Sequence, residues 1–237
     1  MRRIRLSTGP GVLFGALLVV ALLLFLPMRL ALAWSGLDEA GFAARSVTGS
    51  VWDARLIEAQ FGELALGDVD ARLSPLALLL GRARIAIDGG PRPLQGAITV
   101  RRHGIALDDV TATLPTGRVF QPLPVTALDL TAVTVHFSDG QCTKAEGRVR
   151  ATLTGDAAGV ALPPSVAGNA RCDGGALLLP LASDAGRETV ALRITGAGRY
   201  SAVFALQPAD VATAGRLAAA GFVERAGGYQ LSVEGRF

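Results

Sequence analysis

The stretch "YSAVFAL", residues 200–206, decides the fold class. Tyr200, Ala202, Phe204 and Leu206 alternate with Ser201, Val203 and Ala205. Strict period two places one set on a buried face and the other on the opposite face of a strand. The pattern recurs outward in both directions. "VALRIT" aligns Val190, Leu192 and Ile194; "RVRATLT" aligns Val149, Ala151 and Leu153 against Arg148, Arg150, Thr152 and Thr154. "YQLSVEG" aligns Tyr229, Leu231 and Val233, and "RARIAID" and "AITVRR" behave alike. One wet face and one dry face is the signature of antiparallel sheet. Asp88-Gly89-Gly90, Ser138-Asp139-Gly140 and Gly227-Gly228 punctuate the strands as turns.

Helix signals are few. "SGLDEAGFAAR" (35–45) reads as a short helix capped by Ser35. "LSPLALLLG" (73–81) carries an N-cap serine, Ser74, with Pro75 at the first helical position and Gly81 as a stop. "PADVATAGRLAAAGF" (208–222) is alanine-rich and ends near Gly221. The segments 117–124 and 155–175 hold Pro122, Pro124, Pro163 and Pro164 and read as loops. "LALGDVDARL" (64–73) and "IALDDVTATL" (105–114) agree at six of ten positions, 41 residues apart. In both, the alternation slips at a polar pair, Gly67-Asp68 and Asp108-Asp109, which calls for a bulge or tight turn.

The chain opens with Arg2, Arg3 and Arg5, and residues 12–28 carry no charge. Seventeen apolar residues exceed the core of about 7–15 expected of a cleavable signal and reach the lower limit of about 17–25 for a spanning helix. Arg29 can snorkel, and Leu30 to Trp34 extend the run into the interfacial belt. The expectation is a retained helix over 11–34. The competing reading is a cut after Ala31-Leu32-Ala33, with Pro27 breaking the helix. Either way the basic end stays cytoplasmic and residues 35–237 lie across the membrane.

Removing Arg2, Arg3, Arg5 and Arg29 from the 23 basic residues leaves 19 against 20 acids. A nucleic-acid binder carries a basic domain, so that class is excluded. In an oxidising compartment the two cysteines, Cys142 and Cys172, pair as one disulfide. Closing that loop stabilises the fold by about 3–4 kcal/mol in the chain-entropy model. The search for chemistry finds little. His103 and His136 are the only histidines, and His136 lies on a strand in "VTVHFSD". There is no G-x-S-x-G elbow, clustered zinc ligand set or phosphate-binding glycine motif. Asp108 and Asp109 are adjacent and face opposite sides of a strand. No catalytic residue, cofactor, metal or small-molecule substrate is expected. An enzyme would need a pocket that gathers His103 or His136 with an acid.

"GSVWDARL" (49–56), followed by "FGELALGDVDARLSPLALLLGRARI" (61–85), resembles protein N of the bacterial type II secretion system. "CTKAEGRVRATL" (142–153) and "ARCDGGALLLPL" (170–181) resemble that family's cysteine-bearing strands. "GRYSAVFALQPAD" (198–210) and the end from Leu217 onward resemble its C-terminus. The family often carries Trp where this chain has Val69 or Asp70. The resemblance implies a periplasm-facing, inner-membrane accessory subunit that contacts other inner-membrane subunits or the outer-membrane channel. A second similarity, to the repeats of AsmA-type envelope proteins, implies a β-groove linked to lipid handling. The combined expectation is a mainly β protein: a cytoplasmic start (1–10), a transmembrane helix (11–34) and one periplasmic domain (35–237). That domain is a twisted, largely antiparallel sheet with a few short helices. Gly49 serves a turn, Val51 and Trp52 complete the motif, and Trp52 packs in the core.

Overall fold

The computed structural model describes residues 10–35, 41–62, 64–117, 119–157, 159–208, 210–226 and 228–236. Two helices open it, α1 (Pro10–Leu24) and α2 (Met28–Ser35). Then come β1 (Phe42–Ala43), β2 (Ser46–Ser50), β3 (Asp53–Phe61), β4 (Leu64–Leu73) and helix α3 (Pro75–Leu79). The middle of the chain forms β5 (Ala83–Asp88), β6 (Leu94–Arg101), β7 (Gly104–Pro115), β8 (Val125–Ser138) and β9 (Gln141–Leu153). Short strands follow: β10 (Asp156–Ala157), β11 (Val160–Ala161), β12 (Ser165–Asn169) and β13 (Arg171–Asp173). The C-terminal part is β14 (Ala176–Ala182), β15 (Glu188–Ile194), β16 (Arg199–Leu206), α4 (Val211–Ala219), β17 (Val223–Arg225) and β18 (Gly228–Arg236).

The continuous helix expected over 11–34 is two helices. Pro27 has no N–H to continue the ladder, and its ring clashes with the preceding turn. The chain uses the break. The Leu26 carbonyl accepts the Val51 N–H at 3.0 Å, and Pro27 bridges to Ser50. Among the described residues, no helix is long and apolar enough to cross a membrane. The fifteen residues of α1 rise only about 22 Å against a hydrocarbon core of about 30 Å. Arg2, Arg3 and Arg5 lie outside the described residues, as does the Trp34 side chain.

Among the described residues, sixteen strands join one antiparallel sheet, and β10 and β11 form a separate pair. The path runs β1-β3-β4-β5-β6-β7-β8-β9-β12-β14-β15-β16-β18-β17. Strands β3 to β9 follow chain order because short connections favour neighbouring hairpins, while β1 and β2 both pair with β3. The main core lies in the C-terminal half, where Val149, Ala151, Leu153, Val190, Leu192, Tyr200, Ala202, Phe204 and Leu206 are all buried. These are the positions that alternate in the sequence. Leu217 of α4, Phe222, Phe120 and Leu123 complete the same cluster. The sheet curls around it: a Cβ built on Gly196 in the β15–β16 turn would lie 2.6 Å from the Gly140 carbonyl oxygen of the β8–β9 turn. A smaller core gathers Leu56, Ala59, Val69 and Ala71, with Leu32 of α2 packed against it.

A line of irregularities crosses the sheet. Glu58, Gly67, Gly96, Asp109, Ala132 and Gly147 all have φ between +20° and +160°. Register shifts mark the line between β3 and β4, between β6 and β7, between β7 and β8, and between β8 and β9. Both slips of the ten-residue repeat fall on it, at Gly67-Asp68 and Asp108-Asp109. The strands stay continuous through it. Side chains cap the exposed amides: Asp68 Oδ1 accepts the Glu58 N–H at 3.0 Å, and Thr134 Oγ1 accepts the Asp109 N–H at 3.1 Å. At Gly147 a Cβ would lie 2.6 Å from Val133 Cα, so two backbones touch there.

Helices α3 and α4 fall where expected. Ser74 Oγ accepts the Ala77 N–H, and Asp210 Oδ1 accepts the Thr213 N–H. Two expectations are corrected. Residues 36–40 lie outside the described set, but Phe42–Ala43 is strand β1 rather than helix, because it pairs with Phe61 and Gln60. The proposed loop 155–175 contains four short strands. Its small residues give no periodic signal, and they are small for a reason: a side chain on Gly168 would collide with the Pro180 carbonyl of β14.

Candidate functional site

Antiparallel order puts four connections along one rim of the sheet: Val51-Trp52, the α3 segment through Arg82, Arg102-His103, and Asp139-Gly140. Leu80, Arg82, Arg101, Arg102 and Ile105 line a shallow concavity of about 640 Å³ there, together with His103 and His136. Both histidines thus reach one hollow, and each meets an acid. His103 Nδ1 is 3.6 Å from Asp139 Oδ1 on the exposed turn.

The second pair is built more firmly. Asp108 of β7 lies near Ala106, which opposes His136 of β8, so the two side chains share a face. The His136 Nε2–H donates to Asp108 Oδ1 at 3.0 Å, since an ionised carboxylate only accepts. Arg84 Nη1 and Thr99 Oγ1 both donate to Asp108 Oδ2 at 2.9 Å. Burial pushes the Asp108 carboxyl up, but the hydrogen bonds from His136 and Thr99 and the charge of Arg84 outweigh it. The net result lies below the ordinary carboxylate range. Among the described residues, no hydroxyl or thiol hydrogen-bonds the His136 ring. Thr143 Oγ1 instead donates to the His136 backbone carbonyl at 3.2 Å. The arrangement binds a charge cluster across four strands; it lacks the nucleophile that would complete a relay. No group of three metal-ligating side chains occurs among the described residues.

The remaining expected residues are dispersed. Cys142 of β9 and Cys172 of β13 form a disulfide with Cα atoms 5.5 Å apart. Strand β12 pairs with β9 as far as Asn169, after which β13 turns to β14. The disulfide ties β13 back to β9 beyond that parting. Gly49 of β2 has φ +91°, and a side chain there would strike the Asp53 carbonyl. Val51 is buried, while Trp52 is half-buried at the turn, not enclosed in the core as expected. A two-residue connection at the rim leaves a large ring only partly covered. Sequence reading missed the rim itself, because its arginines and leucines come from separate hairpins that only the register brings together. The run "LALLLGR" was the available signal.

No solved structure matches the chain. A protein of Vibrio cholerae serotype O1, named type II secretion system protein N, is 28% identical over 153 residues. That alignment covers 60% of this chain and 60% of the relative, so the chain spans less than two thirds of the relative's length in the match. The AsmA-type similarity gains nothing from these matches. The family model for protein N of the type II secretion system matches residues 40–232, from just before β1 well into β18, and the chain belongs to that family.

Proposed function

We propose that the chain is a non-catalytic accessory subunit of the type II secretion machine. Its N-terminal segment holds it in the inner membrane with residues 1–10 in the cytoplasm. Residues 35–237 face the periplasm and contact other inner-membrane subunits or the outer-membrane channel. The observation that carries this reading is the family match over almost the whole β domain. The apolar segment adds to it. Phe25 and Leu26 prolong the uncharged α1 to the lower limit for a span. Retention is favoured over cleavage because Leu32 packs against the N-terminal core, and the Leu26 carbonyl and Pro27 bind the β2–β3 turn. A cut after Ala33 would remove all three contacts.

The test is photo-cross-linking in intact cells from the β domain, with an alkali wash of the membrane pellet. Capture of secretion subunits by a chain that resists extraction supports the reading. Release by alkali overturns the anchor, and a gene deletion that leaves export unchanged overturns the role in secretion.

A further inference from the structure

The rim that carries the histidine hollow also carries exposed apolar surface. Leu76, Leu79 and Leu80 are 73%, 84% and 69% exposed, and Val100 and Ile105, paired across β6 and β7, are 44% and 45% exposed. The sequence builds this projection deliberately. Ser74 caps α3, Pro75 starts it, and Gly81 at φ +72° turns the chain back into β5, so the leucines stand on a short rigid knob. Three neighbouring leucines in water are unusual for a soluble surface and mark a contact site.

Charge identifies the occupant. Arg82, Arg101 and Arg102 flank the leucines and are exposed. None of them is ion-paired to a carboxylate among the described residues. The rim's acids are engaged elsewhere, Asp139 beside His103 and Asp53 with Arg72 at 3.1 Å. Apolar side chains framed by unpaired guanidinium groups match a boundary between acyl chains and phosphates. The position agrees. The break between α1 and α2 is hydrogen-bonded to the β2–β3 turn, which lies on this same rim.

We propose that this rim rests on the anionic phospholipid surface from which α1 emerges. Leu76, Leu79 and Leu80 enter the headgroup boundary, while Arg82, Arg101 and Arg102 bond lipid phosphates. The proposal rests on the anchored reading given above. It sets the attitude of the domain: strands stand on the membrane by one end, and the opposite end points away.

The test uses the full chain in lipid nanodiscs. Its two cysteines are joined, so Leu79→Cys provides a single thiol for an environment-sensitive fluorophore. Ala185→Cys, exposed in the turn at the far end of β14, serves as the distal site. In discs containing phosphatidylglycerol, the probe at 79 is expected to shift to shorter wavelength and resist iodide quenching, while the probe at 185 stays fully quenched. Replacing Arg82, Arg101 and Arg102 together by Glu returns the probe at 79 to water without releasing the chain. Equal quenching at 79 and 185 in incorporated chain overturns the proposal and leaves the anchor standing. Protection that is equal in pure phosphatidylcholine, or that survives the Arg→Glu changes, overturns the phosphate contact. Failure of the chain to incorporate overturns the anchored reading itself.

Discussion

The phenol of Tyr200 on β16 donates to the backbone carbonyl of Val119 at 2.6 Å, joining residues 81 positions apart. The Phe120 ring meets the Tyr200 ring edge-on, with centroids 5.6 Å apart. The β7–β8 connection is thereby drawn onto a strand five places along the sheet. Tyr200→Phe keeps the ring and orphans the carbonyl, at a cost of about 1–2 kcal/mol. Phe120→Ala opens a cavity and costs about 3–5 kcal/mol. Chemical denaturation of the two single variants and the double variant should show less than additive loss, because the residues touch.

Cys142→Ser, Cys172→Ser and the double variant should each lower stability by about 3–4 kcal/mol, since a half-pair closes no loop. The three melting temperatures should coincide, and reduction of the native protein should reproduce them. Membrane partition should not change, because the disulfide lies between β9 and β13, away from α1.

Asp108 supplies a pH test. Its folded carboxyl lies below the ordinary range, so its stabilisation is complete above the unfolded pKa of about 3.9 and is lost as pH falls through the folded value. Asp108→Asn should therefore melt below the native protein at pH 7. Partly exposed pairs of this kind are worth about 1 kcal/mol, or about 2–4 °C in a chain of this size. The two melting curves should converge as pH falls through the folded value, below the ordinary carboxylate range. A difference that persists in acid would show that Asp108 acts by packing instead.

Two glycines should respond in opposite directions to alanine. Gly147→Ala adds a Cβ 2.6 Å from Val133 Cα at a residue with φ +109°, and should cost about 2–4 kcal/mol. Gly215→Ala meets open space within α4 and should stabilise by about 0.5–1 kcal/mol. Urea midpoints of the purified variants check both signs.

Much of this was legible because local chemistry specified it. Val149, Ala151 and Leu153 alternate because one face of β9 is buried, and Ser74 starts α3 because its hydroxyl oxygen reaches the amide of Ala77 three residues ahead. The cysteine pair followed from there being only two. What was illegible depends on partners distant in sequence. Residues 165–169 form a strand because β9 and β14 lie on either side, and nothing in "SVAGN" announces it. The Asp108–His136 contact depends on a register set by two bulges in β7 and β8. The slip at Asp108-Asp109 was visible in the sequence; its alignment with Ala132 and Gly147 on the neighbouring strands was not.

That alignment gives the sheet a kind of reading frame. On β7, Leu107 and then Val110, Ala112 and Leu114 face the core side, so the parity of inward positions changes at Asp109. Asp109 is the extra residue, so deleting it would leave Leu107, Val110, Ala112 and Leu114 in plain alternation on the core side, whereas deleting Thr111 would turn Ala112 and Leu114 outward and bring Thr113 inward. The usual rule for insertions and deletions is that loops absorb them and strand ends tolerate them. In β7 that rule is inverted: a residue lost at the bulge leaves the sense intact, while one lost from the regular stretch beyond it acts as a frameshift in three dimensions.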